Sequence, residues 1–281
     1  MSLRKLPEIR AERLPTICAF EPDPNAVERW NAGITAAQTG DNTISILDVI
    51  GEDFWSGAGV TSKRVAAALR SIGDDDVFVD INSPGGDFFE GVAIYNALRA
   101  HPRKVTVRIL GLAASAASII AMAGDEIQIG KASFLMVHNA WVIAVGNRHD
   151  LREAAQRMEP FDDAMATVYA ERAGVEKAKA SEWMDAEAWF NGEQAVAEGL
   201  ADAFLPADQV NEDGARAEAF RSMNAVRRVD ALLARSGITR SERRSLIAEM
   251  KGGKQDAAAS VMHDADDLRA ALARLSQTIR S

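Results

Sequence analysis

A single cysteine, Cys18, stands in 281 residues, so no disulfide can form within the chain. Four histidines and that one thiol leave little material for a zinc site, and neither a Cys-X-X-Cys nor a His-Glu-X-X-His spacing occurs. Long apolar runs are missing as well. The two longest stretches free of Asp, Glu, Lys and Arg, 109–124 and 132–147, fall short of the roughly 20 residues that a membrane span requires. Residues 1–20 mix both charge signs, contain Pro7 and Pro15, and hold no apolar core of signal-peptide length. A basic excess is also lacking: 32 Lys and Arg against 41 Asp and Glu give a net charge of −9, which argues against a nucleic-acid partner. The expectation is a cytoplasmic protein without metal, cofactor, membrane or nucleic-acid contact.

What is present is ordinary for a folded chain, with 47% hydrophobic and 26% charged residues and enough length for one full core plus an appendage. Residues 1–40 carry little periodicity and read as an N-terminal arm with a short helix near 26–32. From 43 to 50 apolar and polar residues alternate as in a strand. Helix 61–72 places Val65, Ala66, Leu69 and Ile72 on one face, with Thr61 or Ser62 as its cap. Strand 77–81, helix 90–100 and strand 105–110 follow, then an apolar helix 113–123, short strands 127–129 and 134–137, a long helix 150–172 and another at 175–184. This alternation argues for an α/β domain over 41–205 with a largely parallel sheet. Residues 206–281 carry 13 Lys and Arg against 11 Asp and Glu and read as a helical C-terminal tail. Its helices are expected at 216–235, after a Thr239-Arg-Ser-Glu242 capping box, and at 264–279, with a linker from Lys251 through two glycines.

Three short elements carry chemistry. Asn82-Ser-Pro-Gly-Gly86 joins a strand to a helix, and Gly85 and Gly86 permit positive φ and close backbone approach. By itself it is also an ordinary tight turn. Gly111-Leu-Ala-Ala-Ser115 puts a serine at a helix start, where unpaired N–H groups could hold an oxyanion; an N-cap serine fits the same place. Met136-Val-His138-Asn ends a strand with an imidazole, the usual activator of a serine, although a histidine there can equally be a structural residue.

Taken in order, these elements resemble the ClpP family of self-compartmentalising serine peptidases over roughly residues 40–205. Gly91-Val-Ala-Ile-Tyr95 and the segment from Trp189-Phe-Asn-Gly to Gly-Leu-Ala-Asp202 complete the match. The resemblance implies a ClpP/crotonase-like spiral of β-β-α units with a protruding handle helix at 150–172 and a small helical C-terminal appendage. It implies Ser115 as nucleophile, His138 as base and the N–H groups of Gly86 and Ala116 as oxyanion donors. A substrate strand would lie between Gly86, Asp87 and Phe88 on one side and Asn139, Ala140, Trp141 and Val142 on the other. The third triad member falls on Glu187 by its place before Trp189-Phe190, with Asp185 as the competitor. Ser118 is expected to pack, and His101, His149 and His263 to lie at the solvated surface.

The arm and the tail depart from a ClpP subunit fed by an ATP-driven unfoldase. They look more like ClpP-related head maturation proteases of tailed phages and prophages, which implies a homo-oligomeric ring, a capsid or scaffold substrate, and location within proheads. The unfoldase-dependent subunit is the alternative. A crotonase-like acyl-CoA enzyme and a non-catalytic scaffold are the readings from other classes; the Ser115 and His138 pair argues against both.

Overall fold

The computed structural model describes residues 22–52, 59–140, 144, 147–235 and 238–257. Two compact units divide the chain, Met1–Gly237 and Ile238–Ser281.

In the first unit, α1 (Pro24–Arg29) is capped by the Asp23 carboxylate and followed by β1 (Ile34–Ala36). Then come β2 (Thr43–Ile46), α2 (Ser62–Ile72), β3 (Val77–Ser83), α3 (Phe88–Arg99) and β4 (Val105–Ala114). Thr61 caps α2 through its side chain, as one of the two expected caps. The turn from β4 leads into α4 (Ala116–Ala121), β5 (Glu126–Ile129) and β6 (Phe134–Met136). A capping box between Asn147 and Asp150 opens α5 (Arg148–Ala173), and Gly174 ends it at φ 70°. After α6 (Lys177–Asp185) come β7 (Trp189–Asn191), α7 (Gly192–Ala197), β8 (Ala203–Phe204), β9 (Val210–Glu212) and α8 (Gly214–Arg235).

The main sheet runs β2-β3-β4-β5-β8, all parallel, as the alternation of strands and helices predicts. Its long middle strand does two jobs. Thr106–Ile109 of β4 pairs with β5, whereas Leu112–Ala114 pairs with β6, which in turn pairs antiparallel with β7. Helix was expected from 113, but the backbone stays extended to Ala114 because these residues still have a strand partner in β6. The change of direction is thereby compressed into Ser115.

Alternation along β4 explains the core. Ala113 faces the main cluster with Ile109, Leu135 and Tyr169, while Leu112 and Ala114 face a second cluster with Ala26, Trp30, Ala32 and Met136. Both faces of this strand end are apolar, so both need cover. On the second face the cover comes from α1 and, through Phe220, from α8. Burying one side chain such as Leu112 or Met136 contributes about 1.5–3 kcal/mol. The exposed Arg228–Glu28 pair between the same helices contributes only about 0–1 kcal/mol. Apolar packing therefore holds the arm. Strand pairing of β1 with β9 and the bonds from Arg216 to the carbonyls of Ala32 and Leu47 add to it. The compact units accordingly part at Gly237, not at the 205/206 boundary read from composition, and residues 22–40 and 206–235 lie in the same unit as 41–205.

In the second unit, α9 (Arg240–Ala257) opens with the expected capping box: Thr239 N–H donates to Glu242 Oε2 at 3.0 Å and Glu242 N–H to Thr239 Oγ1 at 3.4 Å. The stretch read as a linker from Lys251 is helical to Ala257, its Lys, Gln and Ala residues outweighing two glycines. The expected helix at 264–279 lies outside the described residues. Arg243 is buried and donates to Ile238 O. Among the described residues no helix is long and apolar enough to cross a membrane.

Candidate active site

Ser115 sits where β4 ends and α4 begins, at φ 55° and ψ −125°. A non-glycine residue in such a conformation costs on the order of 1–3 kcal/mol, and the surroundings must impose it. They do so from three sides. Ser115 N–H donates to Met136 O at 3.0 Å, and its carbonyl accepts from Ser118 N–H at 2.9 Å. Gly85 closes the third side, since a Cβ there would lie 2.7 Å from Ser115 Cβ and 2.6 Å from Ala114 O. No side-chain capping bond forms at Ser115, so the N-cap role is not what its hydroxyl serves.

The hydroxyl instead meets His138, two residues beyond β6, with Nε2 2.7 Å from Oγ. Burial holds the imidazole below its ordinary 6.5, opposed by the charges of Asp23 and Glu187. The ring is therefore neutral at neutral pH, and a neutral ring accepting the serine proton at Nε2 carries its own on Nδ1.

Gly86, at φ 147°, forms a parallel bridge with Ile50, and a Cβ there would lie 2.2 Å from Ile50 O. The neighbouring groups are taken: Ile50 N–H donates to Gly85 O and Asp87 N–H to Ile50 O, each at 2.9 Å. Gly86 N–H has no acceptor among the described residues. Ala116 supplies the first N–H of α4, which precedes the intrahelical ladder. Ser83 Oγ donates to Asp48 O at 2.6 Å and accepts Gly85 N–H at 3.2 Å, bracing the glycines from below. Asn82 donates to the carbonyls of Asn31 and Ile34, accepts Leu112 N–H, and receives Trp30 Nε1–H on its carbonyl. The arm is thus pinned to the loop that carries Gly86, a connection of about fifty residues in sequence that no local pattern announces.

Glu187 follows α6 at φ 47° and acts on His138 through its charge. Asp185 instead accepts from Asn139 Nδ2 at 2.8 Å. Among the described residues neither carboxylate hydrogen-bonds the imidazole. Asp23, which the sequence reading passed over, is buried and acts on His138 ahead of Glu187. Its signal was the Pro-Asp-Pro capping pattern at 22–24, which reads as a helix start and nothing more.

The expected substrate edge is narrower than the sequence suggested. Asp87 has its N–H on Ile50 O and its carbonyl on Gly91 N–H, and Phe88 already begins α3, so no extended edge exists at 87–88. The reason is the Asp87 side chain, which caps α3 at Glu90 N–H. Opposite, Ala140 N–H donates to Asp162 Oδ1 at 2.7 Å, while the backbone of Asn139 has no partner among the described residues. Trp141 and Val142 lie outside the described residues.

Two further expectations are corrected. His101 is buried, 5% exposed, with Nε2 2.8 Å from Asp75 O, because the loop behind Leu98 folds it inward. Ser118 does not merely pack: it hydrogen-bonds Ser115 O and Tyr169 OH. His149 is exposed, and His263 lies outside the described residues.

A hydroxyl on a strained strand-to-helix turn, with a buried neutral base in contact and, among the described residues, no acceptor on the N–H groups of Gly86 and Ala116, can attack an acyl carbon and stabilise the resulting oxyanion. That is the chemistry of a serine hydrolase. A model of the Clp protease family matches residues 59–208. The ATP-dependent Clp protease proteolytic subunit 1 of Streptomyces avermitilis is 31% identical over 150 residues, 51% of this chain and 69% of the relative. The proteolytic subunit of Deinococcus radiodurans is 27% identical over 146 residues, covering 50% and 70%, and subunit 1 of Prochlorococcus marinus is 29% identical over 154 residues, covering 52% and 77%. The chain belongs to the Clp protease family and is a serine peptidase.

Proposed function

We propose that Ser115 attacks the scissile carbonyl while His138 Nε2 takes its proton, and that the N–H groups of Gly86 and Ala116 bind the oxyanion. His138 returns the proton to the departing amine, leaving an acyl-enzyme on Ser115. Water, deprotonated by His138, then releases the acid and regenerates the hydroxyl. Glu187 stabilises the charged imidazole, and Asp185 serves Asn139. Substrate pairs as a strand with Asn139 and receives Gly86 N–H, a mode that reads backbone and tolerates many sequences. The observation that carries this reading is the 2.7 Å contact between His138 and Ser115 on a strained turn.

The sign of the His138 shift gives a test. The working base is the neutral ring, so the acid limb of kcat/KM is expected below 6.5. Glu187 raises the His138 pKa, so Glu187→Gln is expected to move that limb to lower pH as well as lowering the rate. An acid limb above 6.5, or one that rises in Glu187→Gln, contradicts the assignment.

We further propose a homo-oligomeric ring that trims capsid or scaffold protein within phage proheads. Supporting this are the segments outside 59–208, the arm and the helical tail, which lie beyond the family match. A second reading, a cytoplasmic subunit fed by an ATP-driven unfoldase, is favoured by the relatives, which are proteolytic subunits of ATP-dependent Clp proteases. Incubation with a capsid–scaffold precursor separates them. Cleavage without nucleotide supports the first; cleavage only with a Clp ATPase and ATP supports the second.

A further inference from the structure

Ser118 and Tyr169 lie behind the nucleophile, not in front of it. Ser118 Oγ is 2.6 Å from Ser115 O and 2.7 Å from Tyr169 OH. Both side chains are buried, Ser118 at 0% and Tyr169 at 1% exposure. The proton directions follow from valence. A carbonyl can only accept, so the single hydroxyl proton of Ser118 goes to Ser115 O. The tyrosine must then be the donor to Ser118. Burial raises the Tyr169 pKa, so it remains a protonated donor throughout the neutral and alkaline range.

The acceptor at the end of this chain is what gives it meaning. Ser115 C=O and Ala116 N–H belong to one planar, trans peptide, so they point in opposite directions, and whatever fixes one aims the other. A hydrogen bond received by the carbonyl also polarises the peptide and strengthens its N–H as a donor. The carbonyl takes backbone bonds from Ser118 N–H at 2.9 Å and Ile119 N–H at 3.4 Å, and the Ser118 hydroxyl supplies the shortest of the three. Tyr169 comes from α5, 51 residues beyond Ser118, so the long helix has a direct polar connection to the nucleophile's own peptide.

We propose that Tyr169, acting through Ser118, is a positioning residue that aims and polarises the Ala116 N–H for the oxyanion. This rests on the oxyanion role proposed above. Among the described residues neither Tyr169 nor Ser118 hydrogen-bonds His138. Their loss therefore lowers transition-state stabilisation and leaves substrate binding and the base unchanged.

The test compares the full-length wild type with Tyr169→Phe, Ser118→Ala and the double variant on a short fluorogenic peptide, with oligomeric mass and melting temperature measured alongside. Each single variant is expected to lose about tenfold in kcat, below the 10²–10³ typical of deleting an oxyanion donor, because the N–H is misaimed and not removed. KM and the acid-limb midpoint stay at wild-type values. The double variant is no slower than Ser118→Ala, since both substitutions break one chain. Wild-type kcat in both single variants overturns the proposal, as does a loss that appears in KM, moves the acid limb, or adds in the double variant. If Tyr169→Phe does not fold, Ser118→Ala decides by the same readouts. A wild type that neither cleaves peptide nor labels at Ser115 overturns the proposed function, and this inference falls with it; an active wild type with indifferent variants overturns this inference alone.

Discussion

Ser115→Ala is expected to leave the fold intact and to lower peptide hydrolysis by about 10⁴-fold or more, the scale seen when a serine nucleophile is removed. The fold survives because, among the described residues, the hydroxyl carries no structural bond: it caps nothing, and its partner is His138 Nε2. The backbone conformation at 115 is imposed by Met136 O, Ser118 N–H and Gly85, all of which remain. The loss falls almost wholly in kcat, since the hydroxyl enters the reaction only when the new bond forms. Steady-state kinetics on a short peptide, with the melting temperature as a control, checks both halves. Residual activity within tenfold of wild type in a folded variant contradicts the role of Ser115.

Gly86→Ala is expected to show the next largest effect, about 10²–10³ in kcat, the cost of losing one oxyanion donor. The added Cβ would lie 2.2 Å from Ile50 O and 2.9 Å from Val49 Cγ1. The nearest obstacle is backbone, so the loop itself must move, and its N–H moves with it. A drop in melting temperature accompanies the loss, because the Ile50 bridge is strained. Gly73→Ala provides the control: it also has positive φ, 74°, but a Cβ there meets nothing within 4 Å. That variant is expected to lose about 1–3 kcal/mol of stability, by backbone strain alone, with kcat unchanged. Equal kinetic effects in the two variants would mean that the Gly86 N–H has no special place in the reaction.

These predictions rest on residues whose meaning was local. Gly85, Gly86 and Ser115 stand at strand ends, where chain direction and backbone freedom can be read from a few neighbours, and His138 follows a recognisable apolar strand. The parallel sheet was legible for the same reason, from the alternation of branched strands with amphipathic helices. What the sequence concealed was remote. Ser118 looks like a small packing residue until Tyr169, 51 positions on, brings a hydroxyl to it. Asp23 reads as a helix cap, and only the fold brings its charge to bear on His138. The arm and α8 were set apart by composition, yet the apolar second face of Leu112, Ala114 and Met136 draws Trp30 and Phe220 onto it. Asp87 was read as part of an extended edge, but its capping carboxylate turns the chain into α3 one residue too early for that.

Fluorophosphonate labelling of the full chain, with the modified peptide located by mass spectrometry and Ser115→Ala as control, tests the central claim most directly. Such a reagent needs both an activated serine and an oxyanion hole, and it needs no knowledge of the natural substrate. Labelling on Ser115 that is absent from the alanine variant is the predicted result. Absence of label on the folded, assembled protein, or label on another serine that persists in Ser115→Ala, contradicts the account.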